Sequence, residues 1–135
     1  MTTVLNEIER NQAPTNLSVE LKGELKNPEI LNYYMKSKID CFILLSTSEG
    51  IPVSIMEAMS YSIPILSTKV GGISELVIEG AGELLDVDFT QTQFDYALDK
   101  ILNNLPVYRK CSYNAYKNNY DASKNYLQFY YEALN

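Results

Sequence analysis

In the stretch TSEGIPVSIMEAM, two glutamates, Glu49 and Glu57, flank seven residues that include glycine, proline and several apolar side chains. A carboxylate accepts two hydrogen bonds at once, the geometry that a ribose diol presents. Between them, Gly50 permits close approach of a backbone to a ligand. Pro52 can begin a helix without wasting a donor. The free N–H groups of Val53, Ser54 and their neighbours, Ile51 included, then offer an anion site suited to a phosphate. Glu57 lies ~200° around such a helix from Ile55, at ~100° per residue. With Ile55 and Met59 turned to a core, Glu57 faces a rim or a cleft. A plainer reading stands beside this one. A glutamate early in a helix serves the helix dipole, and a glutamate in a loop is usually solvated.

Composition narrows the chemistry further. The sequence has no histidine, which removes Ser-His-Asp and Cys-His nucleophilic sites, HExxH metal sites and imidazole acid–base catalysis. A net charge of -6 with only 11 scattered basic residues disfavours nucleic acid. Any anionic ligand must then be held largely by backbone N–H groups. Cys41 and Cys111 form no CxxC pair and read as buried or free thiols. No apolar run approaches the ~20 residues that span a bilayer, so no transmembrane segment is expected. MTTVLNEIERNQ lacks the basic start and apolar core of a signal peptide. The expected location is the cytoplasm, with the inner membrane surface as a second possibility.

The elements that must position these residues follow from pattern. Residues 3–11 suit a short amphipathic helix, and LSVELKG alternates Leu17, Val19 and Leu21 as a strand ending at Gly23. Asn27 can cap a helix whose first position is Pro28. DCFILLS (40–46) is a continuous apolar run that suits a strand buried on both faces. After the loop STSEGI comes a helix from about Pro52 to Tyr61, then a second buried strand, IPILST (63–68). KVGG makes a turn, ISELVIEG a helical turn and GELLDV a final short strand. QTQFDYALDKILNNL reads as a helix through Phe94, Ala97, Leu98, Ile101 and Leu102, and the tail reads as helical with a break near Asp121. Strands alternating with helices argue an α/β layer structure around a parallel sheet. Three or four strands are fewer than the five or six of a doubly wound domain, so most of one domain is expected rather than a whole one. Such sheets bind ligands beyond the carboxyl ends of their strands, which is where Glu49 falls.

SEGIPVSIMEAM, followed by YSIPILSTKVGGISELV and EGAGELLDV, resembles the donor-binding core of GT-B retaining glycosyltransferases, in particular the glycosyl transferases group 1 (family 4). The resemblance covers roughly residues 16–104, with an echo in the helical tail (106–135). It implies a Rossmann-like parallel sheet flanked by helices, forming part of a C-terminal nucleotide-sugar-binding domain. It implies hexosyl transfer from a nucleotide diphospho-sugar with retention, without a metal or other cofactor. Glu49 would hold the transferred sugar, Glu57 the ribose hydroxyls, and the backbone of Gly50, Ile51, Pro52, Val53 and Ser54 the sugar and diphosphate. The segment from Gly23 through Glu24 to Leu25 would lie against the base. Gly71 and Gly72 would let the second rim loop pass close to the ligand, and Glu75 would start the next helix. A simple left-handed turn explains Gly71-Gly72 equally well.

The same resemblance implies parts this chain does not carry. The family's acceptor domain and the Arg/Lys pair that clamps the diphosphate lie upstream, and Arg10 and Lys22 fall in the wrong segments. Cationic clamps on a leaving diphosphate contribute several kcal/mol. The expectation is therefore a donor-domain fragment, inactive alone, whose partners are the nucleotide-sugar donor and either a missing N-terminal half or a second copy. Ser62 also departs from the glycine usual before the proline of that turn. Two other classes remain open: a non-catalytic interaction or binding module, and an unrelated α/β nucleotide-binding protein. The tail tyrosines (Tyr113, Tyr116, Tyr120, Tyr126, Tyr130 and Tyr131) pack on the protein's own sheet or form an interface.

Overall fold

The computed structural model describes residues 14–50 and 52–119. The expected helix over 3–11, the break near Asp121, Ile51 and the four tyrosines beyond residue 119 lie outside the described residues. Contacts divide the chain into two units, with the division between Tyr33 and Tyr34.

In the first unit, residues 17–22 form neither helix nor strand, which corrects the expected strand. Leu17, Val19 and Leu21 are all exposed. Alternation sets which faces a strand would have, but a strand also needs a ladder partner. Lys22 pairs with Glu20 and lies 5.3 Å from the centre of the Tyr33 ring. Helix α1 (Asn27–Lys36) crosses the division. The Lys26 N–H donates to the Glu29 carboxylate at 2.8 Å, so an acidic side chain in the first turn satisfies a donor at the helix entrance.

The second unit is built on a parallel sheet of three strands in the order β1-β2-β3. They are β1 (Phe42–Leu44), β2 (Ile65–Thr68) and β3 (Gly82–Leu85). Helices α2 (Val53–Ser60) and α3 (Ile73–Leu76) fall between the strands, and α4 (Gln91–Leu102) and α5 (Leu105–Asn119) follow them. Every residue of the central β2 is buried, as its continuous apolar run predicts. Gly82 lets β3 run alongside it, since a Cβ there would come within 2.1 Å of the Ile65 carbonyl oxygen.

Two apolar layers cover the sheet. Ile55, Ala58 and Met59 from α2, Ile73 and Leu76 from α3, and Ala115 from α5 pack with Ile65. Ala97 and Ile101 from α4 and Tyr108 from α5 pack with Leu66 and Leu85. The α4 stripe is half-buried at Phe94 and Leu98, while Leu102, expected on it, is exposed. A capping box starts this helix: the Thr90 hydroxyl accepts from the Gln93 N–H, and the Gln93 side chain accepts from the Thr90 N–H.

β1 departs from expectation. Ile43 and Leu45 are each 42% exposed, so the run DCFILLS is not buried on both faces. It forms an edge strand, and the side chains beside it on that face belong to the β2–β3 half of the sheet. Helix α5 ties the amino ends of the strands together. Arg109 donates to the Ile39 carbonyl and the Asp40 carboxylate at 2.7 and 2.8 Å. The Ser112 hydroxyl donates to the Ile63 carbonyl at 2.8 Å. Tyr116 packs against the first layer, whereas Tyr113 is exposed.

A candidate donor site at the carboxyl rim

At the opposite end, the carboxyl ends of β1 and β2 each give way to a loop, and side-chain hydroxyls join the two. Thr68 Oγ1 donates to the Ser46 carbonyl at 2.5 Å, and Ser67 Oγ donates to the Leu44 carbonyl at 2.7 Å. Both hydroxyls are buried, so these bonds satisfy groups that would otherwise be costly to bury. Ser46 Oγ in turn donates to Glu49 Oε1 at 2.6 Å. Glu49 is half-buried, with one carboxylate oxygen fixed by the rim.

The loops also meet through backbone. The Gly72 N–H donates to the Gly50 carbonyl at 3.1 Å. Gly71 has φ +53, and a Cβ there would stand 1.8 Å from the Glu49 carbonyl oxygen. Glycine at 71 is thus required twice over, by conformation and by contact. The close approach it permits is to the other rim loop. Gly72, at φ -79, is the N-cap of α3, and Glu75 lies in that helix's first turn. Gly50 is different, because a Cβ there would meet nothing within 4 Å.

α2 rises from this rim. Pro52 is its N-cap, one position earlier than expected, and no side chain caps the helix. Its first N–H groups, on Val53 and Ser54, carry the positive end of the helix dipole. Ile55, Ala58 and Met59 are fully buried, and Glu57 on the same helix is half-buried. Burial and then the charge of Glu57 push the Tyr34 hydroxyl above the usual tyrosine range. The Tyr34 ring packs edge-on against Tyr61, with centroids 6.0 Å apart. Tyr61 lies one helical turn beyond Glu57, so these side chains share a face of α2.

The structure therefore brings Glu49, Gly50, Gly71 and Gly72 into one contiguous rim, with Pro52, Val53 and Ser54 opening the helix that follows. Glu24 is exposed and Leu25 half-buried, and both belong to the first unit. In the sequence Ser46 stood out only as the end of its strand, and Ser67 and Thr68 were not singled out. Two hydroxyls ending a fully buried strand were the available signal. Lys69, exposed directly after β2, supplies a cation at this end that sequence reading passed over. Among the described residues no three of His, Cys, Asp and Glu converge as a metal-binding group, and no helix is long and apolar enough to cross a membrane.

The chain is similar to known proteins. Residues 8–118 match the family of glycosyl transferases group 1. The chain is 44% identical over 82 residues to the O-antigen biosynthesis glycosyltransferase WbnH of Escherichia coli, covering 61% of this chain and 23% of that protein. It is 31% identical over 98 residues to an uncharacterized glycosyltransferase of Methanocaldococcus jannaschii, covering 72% of this chain and 27% of the relative. It is 29% identical over 102 residues to the N-acetyl-alpha-D-glucosaminyl L-malate synthase of Bacillus anthracis, covering 70% and 26%. The chain thus spans about a quarter of the length of these relatives. With a match over 8–118 and a rim built from the linked motifs of its β1–α2–β2–α3 segment, this chain belongs to the glycosyl transferases group 1.

Proposed function

We propose that this chain is the donor-binding part of a retaining glycosyltransferase, moving a hexosyl group from a nucleotide diphospho-sugar to a carbohydrate acceptor. The observation that carries this reading is the Glu49 carboxylate, held at the rim by Ser46 next to the uncapped start of α2. In the reaction, the bond from the anomeric carbon to the diphosphate oxygen breaks, an acceptor hydroxyl oxygen bonds to the same face of the sugar, and the hydroxyl proton passes to the departing diphosphate. The negative charge left on the diphosphate is stabilised by the N–H groups at the start of α2. Glu49 accepts hydrogen bonds from the sugar hydroxyls and Glu57 from the ribose diol. The relative named for O-antigen biosynthesis suggests a polysaccharide as the acceptor class.

Expressed alone, these 135 residues, which span about a quarter of the relatives' length, should bind donor weakly and not turn it over. Calorimetry with UDP-, GDP- and ADP-sugars tests the reading. Binding is expected for one base, and Glu57→Ala should weaken it by ~1–3 kcal/mol through lost hydrogen bonds to the diol. Equal affinities of the two proteins would remove Glu57 from the site.

A further inference from the structure

We propose that Ser46 is a positioning residue for Glu49, presenting one carboxylate oxygen to the hydroxyl groups of the transferred sugar. The inference rests on the donor-site reading above and adds to it a determinant of sugar binding. Four features carry it. Ser46 Oγ donates to Glu49 Oε1 at 2.6 Å, a length typical of a charge-assisted O–H···O⁻ bond. The bond occupies one oxygen, and no hydrogen bond from the described residues reaches Oε2, which has lone pairs enough for two sugar hydroxyls. Ser46 is itself held in place, because its carbonyl accepts from Thr68 Oγ1 at 2.5 Å, and Thr68 is buried at the end of the central strand. Behind Glu49, its own carbonyl lies against Gly71, so close that a Cβ there would stand 1.8 Å away. A carboxylate on a loop is otherwise free to rotate. Here it is fixed from the side chain and from the backbone, so hydrogen bonds to a sugar cost less ordering.

The arrangement makes a selective prediction. The diphosphate is assigned to backbone N–H groups at the start of α2, which Ser46 does not touch. Loss of the Ser46 hydroxyl should therefore weaken binding of the sugar portion and spare the nucleotide. The test compares nucleoside diphospho-sugars (UDP-glucose, UDP-N-acetylglucosamine, GDP-mannose) with bare UDP and GDP, titrated into the 135-residue chain, with thermal midpoints recorded in parallel. Ser46→Ala is expected to lower affinity for the bound nucleotide sugar about tenfold, with the matching diphosphate unchanged within about twofold. Ser46→Thr, which keeps the hydroxyl, should restore most of the loss. Glu49→Ala should match Ser46→Ala in pattern, and the double variant should be no weaker than Glu49→Ala alone.

Three results overturn the inference while leaving the donor site standing. They are an unchanged nucleotide-sugar affinity in Ser46→Ala, an equal loss for sugar and bare nucleotide, or effects that add in the double variant. If the unaltered chain binds neither nucleotides nor nucleotide sugars, the donor-site reading fails and the role of Ser46 fails with it. That outcome is recognisable before any variant is made.

Discussion

Cys41 shows what position alone does to a side chain. It is half-buried where β1 begins, against the layer formed by Leu66 and Leu85. Burial pushes its thiol up to about 11, against a lowering influence from the Leu66 backbone. A folded value raised above the unfolded one gives a contribution that is complete below about pH 9 and is lost as pH rises through about 11. At pH 8 the folded thiol should carry about a hundredfold less thiolate than in the unfolded chain, so iodoacetamide should label Cys41 slowly until urea is added. Mass spectrometry of peptides labelled with and without urea checks this, and fast labelling of the folded protein would place Cys41 in solvent. At this same scale, Glu49 and Glu57 could be singled out from the sequence because each belongs to a local pattern, one in a Gly-Pro loop and one at helical spacing from Ile55. The bond from Thr68 to Ser46 could not. Their bond joins residues 22 positions apart, and a hydroxyl in a sequence does not name its acceptor.

The C-terminal end of α2 shows a sequence departure becoming a structural cost. The Ile63 N–H donates to the Ala58 carbonyl and the Ser62 N–H to the Met59 carbonyl, which together make a Schellman closure. That motif needs a left-handed residue at its turn, and Ser62 occupies it with φ 60. Left-handed backbone costs a residue with a Cβ about 1 kcal/mol, so Ser62→Gly should stabilise the fold by about that amount in urea unfolding. A loss of stability would mean the serine hydroxyl compensates in a way this geometry does not reveal. Elements of this kind were largely legible. The helical stripe of α4, apart from Leu102, and the buried run of β2 came out as read, because period and polarity decide them locally. The strand expected over 17–23 and the double burial of β1 did not, since both depend on which chain lies alongside. The alternation of Leu17, Val19 and Leu21 can set two faces. It cannot supply a ladder.

At the scale of the molecule, no strand among the described residues lies beside the outer edge of β1. In β1, the Phe42 N–H donates to the Pro64 carbonyl, so in a parallel ladder the backbone groups of Ile43 point away from β2. Ile43 and Leu45 are exposed beside those groups. The protections usual on edge strands are missing: CFILLS contains no charge or proline, and the neighbouring Asp40 is engaged by Arg109. Opposing this, a net charge of -6 per chain repels a second copy, and salt screens that repulsion beyond ~8 Å at physiological ionic strength. The 135-residue chain expressed alone should therefore self-associate at micromolar concentration through paired β1 edges, more strongly at 300 mM salt than at 20 mM. Ile43→Lys should return it to monomer, because a charge on the open face must be desolvated for two edges to meet. Tyr113→Ser tests the other exposed candidate, the face of α5, and should leave association unchanged. Sedimentation velocity on the three proteins at both salt concentrations decides between them. A monomer at every concentration would show that this edge is protected in solution, and a loss of association in Tyr113→Ser alone would move the interface to the helical tail.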